Sequence, residues 1–392
     1  MVSVDTGSFL VIVVAGALAA LVSGLLPERA QVPTVVLEVL AGILIGPDLL
    51  HLADPDQFIE FFASLGLGML FFFAGYEIDF ARIRGAPLRL AALGWILGLV
   101  LAFALAGLLS LTGFVISFVF TGAALATTTI GTLIPILRDA GELRSRMGTY
   151  LLAAGAAGEF GPILLITFVF STKTTLSNAM VLLLFVAIGA AAAVLAMRGV
   201  GRGWRLFERT LETSSQPAIR LAVVTVFALG ALAASLGLDV LLGGFVAGVI
   251  VRLALRGREV RVFESKLTAV GYGFFIPFFF IVSGIAFNLD ALVSSPERLL
   301  LVPVFLVMFL VVRGVPALVL CRNVLDRSER VALALFSATQ LPLVVAITTI
   351  AVQEGHMRDS TAASLVGAAI LSTMIFPLVA LRVRRVGLSS PA

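Results

Sequence analysis

Apolar runs of about twenty residues recur along the whole of this chain, and they constrain its fold more than any other feature. Twenty helical residues cross the hydrocarbon core of a bilayer, where every backbone N–H and C=O must find its partner inside the protein. The 392 residues are 60% hydrophobic and 13% charged, with a mean hydropathy of +1.12. No soluble domain needs so much apolar surface, so the sequence reads as an all-α integral membrane protein. About thirteen spans are expected, at 7–26, 32–50, 57–78, 88–111, 114–137, 147–170, 177–197, 217–237, 238–255, 267–287, 299–320, 331–352 and 361–381. The split between the eighth and ninth rests on Gly237, Leu238 and Asp239 alone.

The basic residues check this count independently. With the N-terminus outside, 23 of the 27 Lys and Arg fall in alternate loops on one side. Only Lys173, Arg298 and Arg358 fall on the other, and Arg313 lies within a span. The positive-inside rule then expects a multi-pass membrane protein with the N-terminus outside and the C-terminus cytoplasmic. The same distribution accounts for the pI near 9.8 without a nucleic-acid partner. Met1 to Leu26 lacks a positive n-region and reads as the first span, not a cleaved leader. The last apolar run ends near the end of the chain, so one membrane domain over 1–392 is expected, without a soluble regulatory domain.

An internal repeat is visible. Val39-Leu40-Ala41-Gly42-Ile43 resembles Phe245-Val246-Ala247-Gly248-Val249. Phe71-Phe72-Phe73 with Gly75 and Asp79 resembles Phe278-Phe279-Phe280 with Gly284 and Asp290. Partners lie seven spans apart, and an odd separation reverses orientation. The expectation is two inverted-topology six-helix repeats, about 7–170 and 217–381, joined by a linker helix at about 177–197. Secondary transporters are built this way, with the site at the repeat interface near the midplane.

Polar residues inside the spans locate that site. The fifth contains Thr127-Thr128-Thr129-Ile130-Gly131-Thr132 and then Pro135, a poor recipe for a continuous helix. Its repeat partner, the twelfth, contains Ser337-Ala338-Thr339-Gln340-Leu341-Pro342, then Thr348 and Thr349. Two Pro-interrupted spans at matching positions predict crossing, broken helices whose carbonyls and hydroxyls can ligate a small hard cation. Glu159 is the only acidic or basic residue between Met147 and Phe170, near the expected midplane. A charge there costs about 2.5–3.5 kcal/mol on insertion scales and marks an ion or proton pathway. Gly155, Gly158 and Gly161 around it permit close approach of the broken helix. A proton and a cation competing for this one carboxylate would suffice for coupled exchange. Arg313 is the expected ion-pair partner of Glu159, because either charge buried alone is costly. Glu38 lies deep in the second span, whereas Asp48, Glu77, Asp79 and Asp290 sit at span ends as caps or funnel charges.

Lone Cys321 excludes a disulfide framework, and His51 and His356 fall outside the apolar runs. No nucleophile–base or metal constellation appears within the spans, so neither an enzyme nor a bound cofactor is expected.

Val35 to Pro47, Phe72-Phe73-Ala74-Gly75-Tyr76-Glu77-Ile78-Asp79 and Ala126 to Gly141 resemble motifs of bacterial monovalent cation:proton antiporters of the second large branch. The resemblance implies a homodimer that works by an elevator-like movement, with spans 4–6 and 11–13 as the moving core. It also implies that Glu159 is the ion-binding acid, normally an Asp preceded by Asp, Asn or Gln. Here the pair is Gly158-Glu159, a departure that leaves one carboxylate. Arg313 falls where the family carries a basic residue. The expected function is exchange of Na⁺, ahead of K⁺ or Li⁺, for H⁺, electroneutrally. A sodium-coupled organic-anion symporter of related fold and a non-transporting sensor are the alternatives.

Overall fold

A computed structural model describes residues 5–26, 32–78, 80–130, 132–170, 216–236, 240–254, 260–293 and 296–389, with a few positions between 184 and 194. None of the described residues is in a strand. The expected seventh span, Gly131, Asp79 and the 237–239 junction lie outside the described residues. Each of the other twelve expected spans coincides with a helix or a pair of half-helices. Seven are long and apolar enough to cross a bilayer, and three shorter apolar helices accompany them.

The first four spans are α1 (Thr6–Leu25), α2 (Thr34–Ile45), α3 (Gln57–Tyr76) and α4 (Ala86–Ser110). The fifth is broken into α5 (Phe118–Leu125) and α6 (Leu133–Asp139), and α7 (Arg146–Phe170) follows. Then come α8 (Pro217–Ser235), α9 (Val240–Ala254), and α10 (Val260–Val270), which passes through a π turn at Gly271–Phe275 into α11 (Ile276–Ile285). The eleventh span likewise has a π turn, Leu310–Gly314, between α12 (Pro296–Phe309) and α13 (Val315–Leu320). The twelfth is broken into α14 (Arg327–Ser337) and α15 (Pro342–Gln353), and α16 (Asp359–Ser389) closes the chain. Asp48, read as a cap, accepts from the Leu289 N–H at 2.7 Å.

The chain forms two compact units, one of residues 1–59, 80–162 and 280–392, the other of 60–79 and 163–279. The repeated glycine motifs build a matching contact in each. In the first unit, a Cβ added to Gly42 of α2 would lie 2.8 Å from Gly284 Cα of α11, and one added to Gly284 would lie 2.9 Å from Gly42 Cα. In the second, a Cβ on Gly75 of α3 would strike the Phe245 carbonyl of α9, and one on Gly248 would lie 2.7 Å from Tyr76 N. Without a hydrophobic force between helices in lipid, backbones this close depend on small residues and van der Waals contact. The first-motif glycine of each motif pair thus packs against the second-motif segment of the other.

At one end of the first unit, Arg384 of α16 binds Glu142 with Nε 2.9 Å from Oε1 and Nη2 3.3 Å from Oε2, both side chains buried. Its Nη1 donates to Ser328 Oγ at 3.2 Å and lies 4.0 Å from Glu329. Glu142 follows α6, and Ser328 and Glu329 open α14, so one guanidinium ties both broken spans to the last helix. Asp326 completes the cluster as N-cap of α14 in a reciprocal capping box with Glu329.

Removing one partner of a buried ion pair costs about 3–5 kcal/mol, because it strands the other charge. Arg384→Gln therefore lowers the thermal unfolding temperature of the purified protein strongly, whereas Arg382→Gln, an exposed neighbour, leaves it unchanged. The Glu329 N–H, aided by the Ser328 hydroxyl, holds the Asp326 carboxyl below its usual range. A depressed carboxyl stabilises above its unfolded pKa of about 4 and loses that contribution as pH falls through its folded value. Asp326→Ala accordingly costs about 0.5–2 kcal/mol at pH 7, and the difference from the parent narrows as melting is repeated below pH 4.

Candidate ion-binding site

The two breaks meet, and each supplies the hydrogen bonds that the other lost by unwinding. Thr129 N donates to Thr339 O at 3.3 Å, and Thr128 Oγ1 donates to Ser337 O at 2.6 Å. In the other direction, Gln340 Nε2 donates to Leu125 O at 3.1 Å, and Gln340 Oε1 lies 2.9 Å from Thr127 Oγ1. Gln340's own backbone is held by Ser372 of α16, whose hydroxyl accepts from Gln340 N and reaches Gln340 O, both at 3.1 Å. Two half-helix C-termini and two N-termini therefore converge, bringing partial charges of both signs to one spot.

Glu159 stands on α7 beside this crossing, only 3% exposed, and its Oε1 accepts from Ile130 N at 2.8 Å. The preceding carbonyl, Gly158 O, accepts from Thr128 N at 3.1 Å. The first break is thus stitched to the turn that carries the acid. The glycines of α7 make room for it at intervals of three. A Cβ on Gly155 would overlap Ile130, and one on Gly161 would overlap the Trp95 ring of α4. One on Gly158 would lie 2.6 Å from Arg313 Nη2 and 2.8 Å from Thr128 Cβ.

Arg313 sits in the π turn between α12 and α13 and is 5% exposed. Its Nε donates to Thr128 Oγ1 at 2.7 Å, and Nη2 donates to Ala154 O at 2.9 Å. The sequence pairs Arg313 directly with Glu159; these hydrogen bonds run instead to Thr128 and to the turn of α7 beneath the acid. The reason is steric and geometric. Gly158 opens a slot for the guanidinium, and its planar fork donates in two directions at once.

These bonds divide the threonines. The Thr128 hydroxyl accepts from Arg313 and spends its single proton on Ser337 O. Thr127 Oγ1 has one proton for either Ala124 O or Gln340 Oε1, each 2.9 Å away. Both residues are therefore ties between helices. Thr129 Oγ1 is buried without a hydrogen-bond partner among the described residues, as is Ser337 Oγ. Thr132 is half-buried and takes no part in the bonds that join the breaks, and Pro135 lies within α6. Pro342 opens α15, where its missing N–H costs nothing. Thr127, Thr128, Thr129, Gly158, Glu159, Arg313, Thr339 and Gln340 thus form one cluster. Sequence reasoning missed Ser337 and Ser372. The first stood in the motif that marked the break, whereas the second is a lone serine in an apolar helix. Glu38 is buried in α2, outside the cluster.

Two cavities flank the second break. One of about 30 Å3, room for a water or two, is lined by Trp95, Tyr150, Ala154, Arg313 and Ser337 on the α14 side. The other, about 140 Å3, is lined by Ser283, Asn288, Thr348, Thr349, Gln353 and Asp359 on the α15 side. Carboxylate, hydroxyl and carbonyl oxygens without nitrogen or sulfur ligands suit hard cations and protons.

The sodium/hydrogen exchanger transmembrane family matches residues 16–381. The chain is 26% identical to the putative Na(+)/H(+) antiporter YjbQ of Bacillus subtilis over 89% of its own length, and spans 59% of that relative. It is 24% identical to the probable Na(+)/H(+) antiporter 3 of Methanocaldococcus jannaschii, covering 90% of each chain. It is also 26% identical to the Na(+)/H(+)-K(+) antiporter GerN of Bacillus cereus, covering 69% of each. Its fold superposes on the sodium proton antiporter MjNhaP1 of M. jannaschii with a TM-score of 0.66, at 15% identity and 97% coverage of both chains. With its family match running through nearly every span and both broken helices, the chain belongs to the sodium/hydrogen exchanger transmembrane family.

Proposed function

We propose that this cation/proton antiporter exchanges one monovalent cation, Na⁺ ahead of K⁺, for one proton at a single shared carboxylate, Glu159. The observation that carries the reading is the placement of that buried acid against Ile130 N at the crossing of two broken helices. A buried carboxylate beside unwound backbone is a hard oxygen ligand that takes either a proton or a small cation. The Thr129 hydroxyl, without a hydrogen-bond partner among the described residues and next to Ile130 in the chain, supplies a neutral oxygen ligand. Arg313 contributes a fixed positive charge through Thr128. Net exchange of one charge for one is then electroneutral. The relatives' names, Na(+)/H(+) antiporter and Na(+)/H(+)-K(+) antiporter, support the choice of ions.

Cavities on either side of the break support access from each face in turn. In this reading the protein is a homodimer in a bacterial inner membrane, N-terminus outside and C-terminus cytoplasmic, whose core of spans 4–6 and 11–13 moves as an elevator. The same reading divides the chain into two inverted repeats, 7–170 and 217–381, joined through the segment 177–197. The reciprocal packing of the repeated glycines supports that division.

Three outcomes test the proposal in proteoliposomes. Glu159→Gln reduces Na⁺-driven dissipation of an imposed ΔpH to the protein-free level; wild-type exchange in that variant refutes the assignment. Because proton and cation compete for one carboxylate, the apparent cation KM of the parent rises by about tenfold for each unit that pH falls once the site is mostly protonated. Transport is also unchanged when valinomycin and K⁺ gradients impose a membrane potential on Na⁺ exchange.

The Gly158 slot makes a steric prediction. Gly158→Ala pushes a methyl into Arg313 Nη2 and Thr128 Cβ, at a cost of about 1–3 kcal/mol, and slows exchange. Arg313→Lys slows it as well, because an ammonium does not reproduce the two-way fork.

A further inference from the structure

We infer that Ser372, on the last helix and absent from any of the polar segments that mark the breaks, is a positioning residue for the cation site. The inference rests on the reading of Glu159 and the crossing as that site. Ser372 is fully buried in the middle of α16. Its hydroxyl accepts from Gln340 N at 3.1 Å, and its proton is shared between Gln340 O at 3.1 Å and Ala369 O at 2.8 Å. Both backbone groups of an unwound residue, in a place without bulk water, are thus met by one side chain.

What Gln340 does next links Ser372 to the site. Its side chain spans the crossing, with Nε2 on the last carbonyl of α5, Leu125 O, and Oε1 on Thr127 Oγ1. The preceding residue, Thr339, offers its carbonyl to Thr129 N, and the next N–H along, of Ile130, binds Glu159. Ser372 therefore sets where Gln340 and Thr339 stand, and these set where the Thr129-Ile130 segment meets the acid. Ala369 O is the second acceptor for the hydroxyl proton, within the same helix. Ser372 touches Gln340 and its own helix and acts on the cation through them.

The test measures initial rates of Na⁺-driven ΔpH dissipation against Na⁺ concentration for Ser372→Ala, Gln340→Ala and the double variant. Ser372→Ala leaves Gln340 N–H buried without an acceptor, and the apparent Na⁺ KM rises about tenfold while the maximal rate stays within about twofold. Because Ser372 acts through Gln340, the double variant has the KM of Gln340→Ala alone, not the product of the two effects. A KM for Ser372→Ala within twofold of the parent, or multiplicative effects in the double variant, overturns the inference. Ser372→Cys, nearly isosteric but a weak hydrogen-bonding group, carries the same test should the alanine variant not fold. Absence of Na⁺-driven exchange in the parent itself would instead refute the underlying reading, independently of Ser372.

Discussion

A backbone that unwinds inside a membrane exposes N–H and C=O groups to a medium with no water to satisfy them. The rest of this structure is arranged around that cost. In place of solvent, each broken span uses the other: Thr339 O takes Thr129 N, Ser337 O takes the Thr128 hydroxyl, and the Gln340 amide takes Leu125 O. Neither break is tenable alone, which is why they occur as a pair and meet. The exchange of hydrogen bonds also brings four half-helix ends together, and an ion site needs just such a concentration of oriented dipoles.

Around this crossing the neighbouring elements act as anchors. Glu159 and Gly158 O receive two N–H groups of the first break from α7, Ser372 holds the second from α16, and Arg313 ties Thr128 to Ala154 O. Beyond the apolar region, Arg384 binds Glu142 after the first broken span and Ser328 at the start of the second. An ion pair thus also clamps the ends of the elements whose middles meet at the crossing. Glycine supplies the clearance, with Gly155, Gly158 and Gly161 admitting Ile130, Arg313 and Trp95 against one helix face.

Much of this was legible in the sequence because the membrane imposes strong, local rules. Twenty-residue runs, basic loops and Pro-interrupted polar segments each reflect a large free-energy cost and leave a mark within a few residues. The repeated Gly42, Gly75, Gly248 and Gly284 were visible as motifs, although not the reciprocal packing they build. Ser372 was not legible, since a serine in a helix more often bonds back to its own turn, as this one also does to Ala369 O. The direct Arg313–Glu159 ion pair was a reasonable inference from two isolated charges, but charge alone does not say which oxygen a guanidinium reaches.

The sequence by itself determined that the chain is a helical membrane protein, which spans break, and which acid stands beside the first break. Each of these follows from local composition against a single solvent, the bilayer. Only the tertiary structure decided how the threonines divide between ties and an uncommitted hydroxyl. It also decided that Arg313 occupies the slot opened at Gly158 and that a serine over thirty residues beyond the second break holds it in place. The physical reason is that hydrogen bonds are directional and short-ranged. Which donor meets which acceptor depends on distances between segments far apart in the chain, and no local pattern records those distances.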